Sequence, residues 1–151
     1  MKKRFRFKLQ PVENVRRSKE QECMRVLALA QTRFQQALQF KIQLIQELED
    51  SLIRREQLGQ TATSVMAFLM ENDFIAGQKQ RIVQADQFIL RAKKNVEKCL
   101  REFLIAKKDT RVIEKLRENA FAEFKQEIQK KEQKELEELY VMRARLIKES
   151  A

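Results

Sequence analysis

The chain contains no histidine. It therefore lacks the side chain that most often serves as acid, base or metal ligand near neutral pH. Glycine fills two positions and proline one, which removes turn-rich folds and leaves long helices. No glycine-rich loop is present to cradle a phosphate. Cys23 and Cys99 are too few and too far apart in sequence for a metal site. No apolar run reaches transmembrane length, and the basic opening residues lack the apolar core of a signal peptide. The expected setting is the cytoplasm, with both thiols reduced. Glu132, Glu135, Glu137 and Glu138 cluster. Lysines intervene, however, and an exposed helix face has no desolvated pocket in which to tune a carboxylate. The expectation is a non-enzyme with no catalytic residues, no metal, no cofactor and no small-molecule substrate.

What the chain does have is a seam. Ile82, Ala85, Ile89, Ala92, Val96, Cys99, Phe103, Ala106, Thr110, Ile113, Arg117, Ala120 and Phe124 follow one another at alternating spacings of three and four. Only Thr110 and Arg117 interrupt its apolar character. A stripe that holds this period supercoils one helix against another. The partner lies earlier in the same chain: Met24, Leu27, Phe34, Leu38, Ile45, Leu48 and Leu52 keep a matching phase, with polar gaps at Gln31 and Lys41. The fold class read from this is all-α, two long helices forming an antiparallel coiled-coil hairpin.

The boundaries follow from local chemistry. Residues 1–10 form a basic aromatic arm in which Phe5, Phe7 and Leu9 alternate with Arg6 and Lys8. Pro11 suits the first turn of a helix, and Gly59 supplies a dihedral that often ends one, so helix one spans about 11–58. A bend follows at about 59–64, where Thr61, Thr63 and Ser64 can cap helix two over about 65–148. The whole, residues 1–151, reads as a single hairpin domain. With the bend near Thr61, Cys23 and Cys99 are expected almost opposite each other.

The net charge is +10, which points to an acidic partner surface, nucleic acid or anionic lipid. The excess is concentrated early, in Lys2, Lys3, Arg4, Arg6 and Lys8, then Arg16, Arg17 and Lys19. Phe5 and Phe7 within such an arm could stack on bases while its cations contact phosphates. No nucleic-acid module accompanies them, and the cations form no continuous stripe. Nucleic-acid binding is thus the alternative reading, not the expectation. Near the bend, Val65, Met66, Phe68, Leu69, Met70, Phe74 and Ile75 cover more than one helix face. They either close the bend as a hydrophobic cap or form a docking surface. Asn72-Asp73 and Gly77 mark the same stretch for a kink.

The two ends are more specific. The opening Phe5-Arg6-Phe7-Lys8-Leu9-Gln10-Pro11-Val12 runs to Arg16, Arg17, Glu20 and Glu22. The closing part has Glu114-Lys115-Leu116, then Phe124-Lys125, then Glu132-Gln133-Lys134-Glu135-Leu136-Glu137-Glu138. Together they resemble the flagellar export protein FliJ family, whose members open with F-x-F-x-L-Q and carry E-K-L and E-Q-K-E-L-D-E, with Glu137 where Asp is common. The resemblance covers the whole chain, and the stretch from Ser64 to Gln80 departs from it most. It implies a central-stalk-like coiled coil of the bacterial flagellar type III export apparatus, similar to the gamma subunit of rotary ATP synthases. Its implied partners are the hexameric flagellar export ATPase, the membrane export gate protein and the export chaperones. Its implied place is cytoplasmic, peripherally associated with the inner membrane at the flagellar base. By that analogy Phe5, Phe7, Arg16, Arg17, Leu136, Leu139, Tyr140 and Arg143 face the ATPase. The alternative for Leu136, Leu139 and Tyr140 is that they pack against the arm. Phe68, Phe74 and Ile75 are the residues implied for the export gate. A stalk of a related secretion system is a further reading of the same features.

Overall fold

The computed structural model describes residues 3–61 and 65–150. Nearly all of them lie in two helices, α1 (Gln10–Gln60) and α2 (Val65–Glu149), and no described residue is in a strand. The fold is an all-α helical hairpin, two long helices packed against each other. The Phe7 carbonyl accepts from the Gln10 amide at 3.1 Å, so α1 begins one residue before Pro11. The missing proline N–H costs nothing in this first turn. Gly59 does not end α1 through a left-handed conformation: no described glycine has positive φ, and the helix continues to Gln60. The Thr61 hydroxyl donates back to the Gln57 carbonyl at 3.1 Å. Thr63 and Ser64, the expected caps of α2, lie outside the described residues. α2 remains helical through Asn72-Asp73 and Gly77, so the chain does not break there.

The chain divides into two compact units. A central unit comprises Gln21–Ile105, and a terminal unit comprises Met1–Glu20 with Ala106–Ala151. In the central unit the two helices run in opposite directions. Arg54 Nε donates to Glu71 Oε1 at 2.9 Å, Gln78 reaches Leu44 and Glu47, Lys41 pairs with Asp86, and Leu27 and Ala30 pack with Cys99. The α2 seam lies where its spacing predicts. Ile82, Ala85, Ile89, Ala92, Val96, Cys99 and Phe103 are all buried or half-buried.

On α1 the seam is displaced at alternate positions. Leu27, Phe34 and Leu48 are inside, but Met24 is 54% exposed and Ile45 36%. Cys23, Ala30, Ala37, Leu44 and Ser51, each one residue earlier than the expected position, turn inward instead. Leu38 and Leu52 keep half-buried places at the edge of the seam. Large side chains on α2 explain the choice at Ala30 and Ala37. In the register fixed by the contacts above, Ala30 falls level with Val96 and Ala37 with Ile89, so a small residue meets a large one in each layer. Close-packed interiors reward that alternation over two large side chains in one layer.

Gln78 is buried at this seam. Its Nε2 donates to the Leu44 carbonyl at 3.1 Å and to Glu47 Oε2 at 2.8 Å. A slip of one turn would strand the amide, so the residue pins the register in the way a buried polar group pins a coiled coil. Cys99 clusters with Leu27 and Ala30, with Val26, Val96 and Phe103 around them. That makes Leu27, not Cys23, the level neighbour of Cys99, and both thiols are free. The offset of one helical turn is about 6 Å along the axis, and packed helices stand about 8–10 Å apart. Together they exceed the roughly 7 Å Cα separation that a disulfide spans without backbone movement. Native oxidation with diamide should leave both thiols titratable. Rapid formation of a Cys23–Cys99 disulfide would contradict the register.

Candidate partner-binding surfaces

In the terminal unit polar contacts tie the start of α1 to the apolar seam of α2. Its α2 seam continues through Ala106, Thr110, Ile113, Ala120 and Phe124, all buried or half-buried, with Arg117 exposed. On α1 the matching positions at three-four spacing are Glu13, Arg16 and Glu20. Glu13 is fully buried and takes two arginines: Arg17 Nη2 lies 2.6 Å from Oε1, and Arg117 Nη1 lies 3.2 Å from the same oxygen. Arg17 also approaches Glu114 at 3.6 Å. Arg16 Nη1 donates to the Asp109 carbonyl at 2.9 Å. The Thr110 hydroxyl is placed to donate to the Arg16 carbonyl at 3.3 Å or the Ala106 carbonyl at 3.0 Å. The two expected interruptions of the stripe are therefore the residues that tie α2 to the start of α1.

Residues 3–9 precede α1 without helical structure, and Phe5 packs on α2. The Phe5 ring meets Phe121 edge-on at 5.2 Å between centroids and Phe124 at 5.5 Å, and Lys125 Nζ sits 4.6 Å from the Phe121 centroid. Phe5 and Phe7 are both half-buried. Of the residues implied to face the ATPase, Phe5 and Arg16 thus hold the terminal unit together, while Arg17 stays half-exposed among its carboxylates.

Every residue from 129 to 150 is exposed. Leu136, Leu139 and Tyr140 do not pack against the arm; Tyr140 is 77% exposed, and Arg143 is exposed beside them. Leu146 and Ile147 extend the same face and were missed by the sequence reading. Their spacing of three and four from Arg143 is the signal that could have found them.

In the central unit Phe68 and Phe74 reach the surface, at 36% and 39% exposure, amid exposed Val65, Met66, Leu69 and Met70. Ile75 corrects the expectation. At 4% exposure it is a core residue. It precedes Gln78 and Ile82 at seam spacing, so its side chain closes the hairpin and offers nothing to a gate. A second apolar groove also escaped the sequence reading. Exposed Phe40 and Phe88 flank Ala37, Ala85, Arg81 and Gln84. Elsewhere on this unit Arg25 hydrogen-bonds Glu22, with Nη2 at 2.6 Å from Oε1, and that bond and its charge hold the carboxyl below its ordinary range. Both groups are fully exposed, and solvent screens the pair.

Among the described residues no group of three or more His, Cys, Asp or Glu could hold a metal ion, and no helix is long and apolar enough to cross a membrane. The surfaces on offer are a helix end with an uncovered apolar face, and apolar patches on the central unit. Such surfaces suit protein partners more than chemistry. Comparison with curated proteins and with solved structures returns no match. The family model described as flagellar FliJ protein matches residues 5–148. That span takes in the aromatic arm from Phe5, all of α1 and α2 up to its last residue but one, so the chain belongs to the flagellar FliJ protein family, and its role lies in flagellar protein export.

Proposed function

We propose that the chain is a non-enzymatic, central-stalk-like component of the flagellar type III export apparatus that binds and activates the hexameric export ATPase. The observation that carries this reading is the end of α2, where residues 129–150 are exposed throughout and bear an apolar face that no other described residue covers. Leu136, Leu139, Tyr140 and Arg143 face the ATPase ring, and Phe7 and Arg17 contribute from the start of the chain. Phe5 and Arg16 serve by fixing the arm and the start of α1. Exposed ion pairs are each worth about 1 kcal/mol or less. Charged faces of that kind make contacts that can break and re-form, as an axial element in a cycling ring requires. Phe68 and Phe74 contact the membrane export gate protein, and through it the chain associates peripherally with the inner membrane from the cytoplasm. The same exposed apolar surfaces receive export chaperones as the chain escorts substrates. Binding to nucleic acid is disfavoured by the arm. Phe5, which would have to stack on bases, is engaged with Phe121 and Phe124.

The test is hydrolysis by the cognate export ATPase, titrated with nuclease-treated protein. Stimulation should saturate near one chain per hexamer. Alanine at Leu136, Leu139 and Tyr140 should abolish it with helicity unchanged, because none of the three supports the hairpin. Alanine at Phe68 and Phe74 should spare stimulation and weaken gate binding about tenfold. A folded, helical chain that leaves hydrolysis unchanged would remove the stalk reading.

A further inference from the structure

We propose that the exposed end of α2, residues 129–150, pairs antiparallel with the same segment of a second copy of the chain. The hairpin seam that ends at Phe124 meets Glu127, Lys131, Lys134 and Glu138 at its next three-four positions. Ile128, half-buried beside Phe124 and Lys3, is the last apolar residue on that side, and the seam's next positions offer α1 and the arm none. A second stripe begins on another face: Gln129, Glu132, Leu136, Leu139, Arg143 and Leu146, again at alternating spacings of three and four. Every one of these residues is exposed. A heptad stripe on an uncovered helix calls for a partner helix.

The charges within the stripe select the partner and its direction. Glu132 lies four residues before Leu136, and Arg143 lies four residues after Leu139. With a two-fold axis between Leu136 and Leu139, each Leu136 faces Leu139 of the second copy. Each Glu132 then faces Arg143 of the second copy, and each Gln129 faces its Leu146. Parallel in-register pairing would instead set Glu132 on Glu132 and Arg143 on Arg143, and like charges at a helix contact oppose association. The sequence of the stripe is thus complementary to its own reverse. A two-helix contact of this length falls at or below the low end of specific interfaces, about 1,200 Å². That suits a reversible dimer with a dissociation constant on the order of 10 μM. The dimer covers the stripe assigned above to the ATPase, so self-pairing and ATPase binding exclude each other. The inference itself does not rest on the ATPase assignment.

Sedimentation velocity of the full chain, from about 1 to about 200 μM, reads the equilibrium directly. The wild type should pass from monomer to dimer. Glu132→Arg alone and Arg143→Glu alone should each weaken the dimer at least about tenfold, since each sets like charges opposite one another twice. The two substitutions in one chain should restore affinity to within about threefold, because both contacts return with their signs exchanged. Both sites are exposed, so the hairpin itself should keep its circular dichroism. A wild type that stays monomeric throughout, a dimer indifferent to the single reversals, or a double variant that fails to recover would each overturn the proposal.

Discussion

Leu44→Ala should destabilise the central unit by about 2–4 kcal/mol, whereas Ile45→Ala should cost less than about 1 kcal/mol. The two positions are adjacent, both are branched aliphatics, and sequence periodicity favoured the wrong one. Leu44 is 5% exposed, at seam spacing from Lys41 and Leu48, and Gln78 bonds to its carbonyl. Truncation there removes buried methyl groups and leaves a void that backbone held by Gln78 cannot readily collapse. Ile45, already 36% exposed, loses mostly surface that water covers in any case. Met24→Ala, at 54% exposure, should behave like Ile45→Ala. Ala37→Leu should cost about 1–3 kcal/mol by overfilling a layer that already holds a large residue. Urea unfolding followed by circular dichroism measures all four. If Ile45→Ala proved the costlier change, the α1 seam would have to be shifted by one residue at every second position.

This contrast shows what the sequence made legible. The α2 stripe is readable because its inward positions keep three-four spacing and stay apolar for most of its length, although Phe88, Leu90, Leu104 and Ile105 stand beside it. On α1 the apolar residues sit side by side, as in Ala37-Leu38 and Leu44-Ile45; a reading that favours size picks Leu38 over Ala37 and has nothing to separate the isomeric Leu44 and Ile45. Packing favours the smaller member wherever α2 is already bulky, a fact that lives in the pairing of layers and not in either helix alone. Ile75 was misplaced for a related reason: surrounded by exposed apolar residues, it was grouped with its neighbours and not with Gln78 and Ile82. Gln78 and Glu13 were invisible as core residues because their burial depends on partners on the other helix, Leu44 and Glu47 for Gln78 and Arg117 for Glu13, which lie tens of residues away. The arm and the acidic, lysine-interleaved end were legible as a family resemblance. Their contacts were not, since the meeting of Phe5 with Phe121 and Phe124 depends on where the hairpin turns.

Arg117→Glu should loosen the terminal unit by about 2–4 kcal/mol, more than any other single exchange among its exposed charges. Glu13 is fully buried, and its two arginines both approach from positions about half-exposed. Removing Arg117 alone, as in Arg117→Ala, leaves Arg17 at 2.6 Å to neutralise the carboxylate. The cost should then stay near about 1 kcal/mol, because an arginine that exposed is partly screened by solvent. Reversal is different in kind. It sets a second carboxylate against a group that cannot reach water without withdrawing the first turn of α1 from α2. The cycle with Glu13→Gln separates repulsion from lost packing. The amide that Glu13→Gln introduces can donate to the carboxylate that Arg117→Glu introduces. The double variant should therefore be more stable than the sum of the single changes by about 1–2 kcal/mol. Hydrogen exchange supplies the location. Amides in residues 10–20 and 106–124 should exchange faster in Arg117→Glu, while those around Leu27 and Cys99 keep wild-type protection. Additive single effects would mean that Glu13 and Arg117 do not interact. The start of α1 would then be held by the Arg16 and Thr110 backbone contacts, the Arg17–Glu114 pair and the Phe5 clasp.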